Sequence, residues 1–173
     1  YAPKIAMELI KKKLADRNVG YKNLKEYNND TKIKTKHFNI EFFNMTHSIP
    51  DAYGISINTP DGKIVTTGDF KFDMTPIGPI ADLGKIARIG EEGVTLLMSD
   101  STNALVPGFS KSESLVDDAL NDIVARSNGR IIIATFASNI YRLAHIIETC
   151  KKNNRKVSIF GRSMKNNIEI ATE

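Results

Sequence analysis

The sequence predicts an α/β fold. Three observations carry that reading: a hairpin pattern over residues 53–67, an apolar run "VTLLM" of buried-strand type at 94–98, and a strand–helix–strand alternation over 129–161. An apolar share of 41% in 173 residues supports a proper core, in one sizeable domain or one and a fraction.

Taken in chain order, "PKIAMELIKKKLAD" at residues 3–16 puts Ile5, Leu9 and Ile10 on one helical face and lysines on the other, with Pro3 early, where a helix start tolerates it. Residues 21–45 alternate polar and apolar in "TKIKTKHF" and "NIEFFNM", which is strand character with charged outer faces. The turn "TPDGK", Thr59 to Lys63, then reverses the chain between "YGISIN" and "KIVTTG". After Asp69, "DMTPIGPIADLGKIARIG" reads as a loop rich in Pro and Gly. The buried-type strand "VTLLM" ends abruptly in "SDSTNA", Ser99 to Ala104, and a second loop leads to a helix beginning near Ser114, where Ser114 and Asp117 have capping-box spacing. "GRIIIATFA" and "RKVSIFG" are expected as strands flanking the helix "SNIYRLAHIIETCKKN", a parallel and right-handed βαβ unit followed by the start of another helix. A domain boundary is expected near residue 112, where loop gives way to this alternation. No internal repeat or low-complexity segment is present.

Lys and Arg total 24 against 20 for Asp and Glu, a net charge of +4 that is compatible with a polyanionic partner without demanding one. The single cysteine, Cys150, excludes a disulfide framework and points to a reducing compartment. No window approaches the roughly 18 apolar residues of a membrane span, and no signal-peptide pattern opens the chain, so a cytoplasmic protein that does not engage a membrane is expected. A start at Tyr1 and an end at "ATE", inside a helical pattern, are read as those of an excerpt from a longer protein.

The hairpin sets a geometric question. If the "PDG" turn fixes register, residues near 58 and 63 face each other, and so do residues near 53 and 68. Asp69 then lies beside the start of the first strand, and the "SIPD" segment can fold back to bring His47 to the same patch. An imidazole and a carboxylate so held are half of a metal site, since Zn²⁺ takes both nitrogen and oxygen ligands. The same residues also suit a capped strand end, with His47 a satisfied polar group and Asp69 a turn former after Gly68. A complete catalytic site needs three or more protein ligands per metal. Only His37 and His145 remain as further histidines, the first expected to face solvent and the second to have a surface or packing role; Cys150 is expected to be a small apolar filler.

Two further strand ends attract attention. Asp100 follows "VTLLM" directly, beside the hydroxyls of Ser101 and Thr102, although a turn-capping role would also explain it. In "ATFASN" the chain passes from strand to helix at Phe136 to Asn139, and the unpaired N–H groups of a helix start form a ready anion site to which Ser138 and Asn139 can add donors. A plain N-cap at Ser138 or Asn139 is the commoner arrangement. "FGRSM" repeats the arrangement with Arg162, and two adjacent anion-binding strand ends would suit a phosphodiester chain.

The strings "MTHSIPDAYGISI", "TGDFKFD", "SDSTNA", "ATFASNIYRL" and "FGRSM", in that order, resemble the bacterial ribonuclease J family, in the β-CASP branch of the metallo-β-lactamase superfamily. The resemblance implies part of a metallo-β-lactamase αββα sandwich over 1–112, followed over 113–173 by the first βαβ unit of an inserted β-CASP domain. It implies a nuclease with two zinc ions per active site, acting on RNA in maturation and decay as a 5′–3′ exoribonuclease with endonuclease activity. His47 matches the family's single-histidine metal ligand, Asp69 the aspartate bridging both metals, and Asp100 an acidic residue beside the centre that supports catalysis. Phe136, Ala137 and Ser138 match the loop that helps hold substrate phosphate. The family's HxHxDH cluster would precede Tyr1, and its last metal ligand would follow Glu173. A homo-oligomer, dimer or tetramer, or a paralogue hetero-oligomer is implied. The alternatives are a noncatalytic RNA-binding paralogue subunit and another β-CASP nuclease.

Overall fold

A computed structural model describes residues 1–172. The elements, in chain order, are α1 (Lys4–Asp16), β1 (Lys32–Lys34), β2 (Asn39–Asn44), β3 (Tyr53–Thr59), β4 (Gly62–Thr66), α2 (Leu83–Glu91), β5 (Leu96–Met98), α3 (Ser114–Arg126), α4 (Ile140–Lys152) and α5 (Arg162–Thr172). The strands form one five-stranded sheet in the order β1-β2-β3-β4-β5. The first four are antiparallel neighbours, and β5 adds in parallel to β4. This is a mixed α/β architecture, as expected.

The hairpin adopts the anticipated register, with Asn58 opposite Lys63 and Thr59 opposite Gly62. Phe43, Met45 and Val65 lie on one face of the sheet and are covered by Ala81 and by Ile86 and Ile89 of α2. On the opposite face Ile33, Ile40, Ile57, Ile64 and Leu96 stand in register across all five strands. Phe42, on that same face, is buried under the stacked ring of Tyr27, whose centroid lies 3.8 Å away. The isoleucine row itself remains half-buried, and Leu96 is exposed.

Several expectations need correction. Helix α1 buries Met7, while Ile10 is exposed, because the helix leans on the chain through its Met7 side. With Pro3 at its N-cap, α1 has no cap of its own; Asp51, far along the chain, accepts from the Ile5 N–H at 3.3 Å. Residues 21–31 are not strand: they strap Ala2 by an isolated bridge to Glu26 and fasten β2 through Asn29, whose side-chain oxygen accepts from the Asn44 N–H at 2.8 Å. The Pro- and Gly-rich stretch contains a helix, α2, which starts where the Asp82 side chain accepts from the Lys85 N–H. Strand β5, at the edge of the sheet beside β4, is exposed at all three residues, since none of them joins the cluster that α2 covers.

The capping box does not form, because Glu113 occupies the N-cap of α3 and the Ser114 hydroxyl lies against those of Ser112 and Thr75. Nor does the βαβ unit: residues 129–137 and 155–161 carry no strand, and Ile132 and Phe160 are exposed. A strand exists only as part of a ladder, and among the described residues neither segment finds one. The intervening helix does form and buries Ile140, Leu143, Ile146 and Cys150. Its partner α3 runs beside it in the same direction, joined by Glu113–Arg142, Asp117–His145 at 3.4 Å and Asn121–Thr149 at 3.0 Å. His145 is thus a packing residue, Cys150 an apolar filler, and His37 exposed, each as expected.

Candidate functional site

Strands β2, β4 and β5 run the same way, so their carboxyl ends share one edge of the sheet. His47, Asp69 and Asp100 each follow one of those ends. Backbone hydrogen bonds knit the three segments together: the Lys71 N–H donates to the Thr46 carbonyl at 2.9 Å, and the Thr67 N–H donates to the Met98 carbonyl at 3.1 Å. The Asp100 N–H in turn donates to the Thr67 hydroxyl at 3.0 Å. His47 and Asp69 therefore flank one shared hydrogen bond, and Asp100 sits one strand over.

Gly68 makes the exit from β4 possible. Its φ of +60° is left-handed, and a Cβ there would lie 3.3 Å from the Tyr53 carbonyl oxygen. The turn it permits delivers Asp69 to the sheet edge, at the start of β3, as the hairpin register requires.

The three side chains differ in how they are engaged. The half-buried His47 ring and the exposed Asp69 carboxylate make no hydrogen bond or ion pair with another described residue. Asp100 accepts from the Thr102 N–H at 2.9 Å and from its hydroxyl at 2.7 Å. These two bonds, with smaller contributions from the Phe70 and Ser101 amides, hold its carboxyl below the usual range. The turn-capping role is thus realised in Asp100. Among the described residues, no three His, Cys, Asp or Glu side chains are grouped as a metal site. His47 and Asp69 offer one nitrogen and one carboxylate with unspent lone pairs, a donor set that suits a zinc ion and is short of the three or four ligands such an ion takes.

The second candidate group precedes α4. Phe136 and Ser138 are exposed, and no hydrogen bond links 136–138 to the segments of His47, Asp69 or Asp100. The Ala137 carbonyl accepts from the Asn167 side chain at 2.8 Å. Asn139 is the N-cap of α4, its side chain accepting from the Arg142 N–H at 3.1 Å, so the plain-cap alternative holds for Asn139 and leaves the Ser138 hydroxyl facing solvent. Arg162 opens α5.

One carboxylate at the heart of this region carries no obvious sequence signal. Asp73, 6% exposed, accepts from the Thr75 N–H at 3.1 Å, pairs with Lys71 at 3.1 Å and accepts from the Glu113 N–H at 3.0 Å. Burial alone would raise its pKa, but the Glu113 and Thr75 amides, the Ser112 hydroxyl and the Lys71 ammonium outweigh it and hold the carboxyl far below the usual range. Glu113 then pairs with Arg142, so Asp73 ties the exit of the sheet to the start of α3 and, through it, to α4. Only the second Asp of "DFKFD" hints at this in the sequence.

Comparison with known proteins gives a consistent picture. Residues 128–173 match the family model "Ribonuclease J, beta-CASP domain". The chain is 48% identical to ribonuclease J 1 of Streptococcus pyogenes, over 98% of this chain and 31% of that protein. It is 43% identical to ribonuclease J of Mycoplasma pneumoniae, over 99% of this chain and 30% of that protein. It thus spans about a third of the length of the curated relatives it matches. A protein of unknown function from Enterococcus faecalis shares the fold, with a TM-score of 0.57 at 20% identity over 86% of this chain and 38% of that one. Among the described residues no helix is long and apolar enough to cross a membrane.

Proposed function

We infer that this ribonuclease J-type chain is part of a metal-dependent hydrolase that cuts RNA phosphodiester bonds. The observation that carries the reading is the similarity to ribonuclease J proteins along almost the whole chain. The convergence of three strand ends bearing His47, Asp69 and Asp100 gives it a chemical basis.

In this reading His47, through an imidazole nitrogen, and Asp69, through its carboxylate, would help to hold a two-zinc centre. Zinc held there would supply Lewis acidity, lowering the pKa of water and offsetting charge on the phosphate. Asp100, whose carboxylate Thr102 orients, would support catalysis from beside that centre. Phe136, Ala137 and Ser138 bind substrate phosphate, with the exposed Ser138 hydroxyl as donor. Exonucleolytic 5′–3′ degradation with some internal cleavage, a cytoplasmic setting and a homo-oligomeric or paralogue-paired assembly belong to the same proposal.

The domain division is proposed as metallo-β-lactamase for 1–112 and β-CASP for 113–173. The Asp73–Glu113 hydrogen bond would then fasten the second segment to the first. The sheet is proposed to be half of an αββα sandwich. Its row of half-buried isoleucines, opposite the face that α2 covers, supports that reading because a second apolar layer would bury it.

Replacing Asp69 by Ala in the full-length protein tests the mechanism. Hydrolysis of 5′-monophosphorylated RNA is expected to fall roughly a thousandfold or more, with loss of bound zinc measured by elemental analysis. Normal turnover in that variant would sink the assignment. RNA binding with no hydrolysis in the unaltered protein would point instead to a noncatalytic subunit.

A further inference from the structure

The hairpin formed by β1 and β2 carries a charge pattern that the reaction centre does not use. Lys32 and Lys34 are exposed and stand on one face of β1, with Ile33 turned to the other. Two steps along the strand set them about 7 Å apart. Lys36 and His37 are exposed in the connecting turn, and Phe38 is 44% exposed beside them. The turn is built to present them: the Thr35 N–H donates to the Phe38 carbonyl at 2.9 Å, and the Phe38 N–H donates to the Thr35 hydroxyl at 2.9 Å. The His37 and Phe38 rings meet edge to face, with centroids 6.5 Å apart.

None of the three lysines has an ion-pair partner among the described residues. The acid placed directly opposite Lys32 is Glu41, and its carboxylate is already held by Arg88 at 2.6 Å. Three uncompensated ammonium groups in a row, ended by exposed aromatic rings, match the chemistry of a single nucleic-acid strand, whose phosphates seek cations and whose bases seek a ring to stack on.

The hairpin turn precedes β2, whereas His47 follows it, so the six residues of β2 separate the turn from His47 by roughly 20 Å, and Lys32, opposite Glu41, lies about half that far along the strand. A contact at the turn is out of reach of the scissile bond and touches only RNA that extends well beyond it.

We propose that Lys32, Lys34, Lys36 and Phe38 form a second RNA-contact surface, which grips the backbone and a base of the single strand at a distance from the reaction centre. The proposal rests on the ribonuclease reading for the identity of the polyanion. Its test is chosen to stand apart from catalysis.

In the full-length protein, the triple variant K32A/K34A/K36A is compared with the unaltered protein for binding of an unstructured RNA of about 20 nucleotides across a salt series. Affinity is expected to fall about tenfold or more at low salt, and the slope of log K against log salt to flatten by about 2, at roughly 0.7 per lost phosphate contact. Phe38→Ala is expected to weaken binding about fivefold or more with an unchanged slope, since stacking is not ionic. Hydrolysis of a 5′-monophosphorylated trinucleotide, too short to reach the hairpin, is expected to be unchanged in both variants. An unaltered affinity and slope in the triple variant would overturn the proposal. So would lysines that serve a protein partner, because RNA binding would then not move. Should the unaltered protein bind RNA without cutting it, the binding arms still decide the matter, and only the catalytic assignment is lost.

Discussion

At the scale of single residues, the carboxylates of this chain divide by what surrounds them. Asp69 is exposed and unengaged, whereas Asp73, four positions on, is buried under donors from two segments. Asp73→Asn removes the charge those donors are arranged around. It is expected to cost about 2–4 kcal/mol in urea denaturation of the full-length protein, with early loss of amide-exchange protection at residues 112–114. Because the folded-state pKa is depressed, the stabilisation is complete above the ordinary carboxylate value of about 4 and is lost progressively as pH falls below it. The variant should therefore flatten the acid limb of the stability curve and leave the neutral region displaced by a constant amount. The register that sets the segments of His47 and Asp69 side by side was legible because strand register follows from turn chemistry, which is local. Asp73 was not, because what defines it is a partner amide 40 residues away.

At the scale of elements, period and punctuation read well where a segment makes its own hydrogen bonds, and poorly where a neighbour must supply them. Helices α1 and α4 fell where their apolar spacing placed them. Helix α2 was missed although Asp82, Leu83, Ile86 and Ile89 carry a cap and an apolar stripe, because Gly84 and Gly90 read as loop. The run "VTLLM" announces a strand but is silent on whether anything covers it, and "GRIIIATFA" announces one that lacks a ladder to join. Close approach is just as invisible along the chain. Gly54 pairs with Phe43, and a Cβ on it would lie 2.1 Å from the ring. Gly54→Ala therefore has to displace a core aromatic, and is expected to cost about 1–3 kcal/mol with a matching fall in Tm by calorimetry.

At the scale of the whole molecule, the sheet has one finished face and one unfinished one. If a second layer covers the isoleucine row in the full-length protein, Ile57→Lys buries an unpaired ammonium and is expected to cost at least about 3 kcal/mol, read by chemical denaturation. An open face would tolerate the change within about 0.5 kcal/mol. The β-meander from β1 to β4 has another consequence. Each of these strands pairs with its successor across a short connection, so most ladder contacts link residues near in sequence. Such low contact order favours rapid, locally driven assembly, and three of the four strands that frame His47 and Asp69 can zip together before residue 96 has left the ribosome. In the proposed function, the segments that carry His47 and Asp69 would then be brought side by side during synthesis, ahead of the segment that brings Asp100.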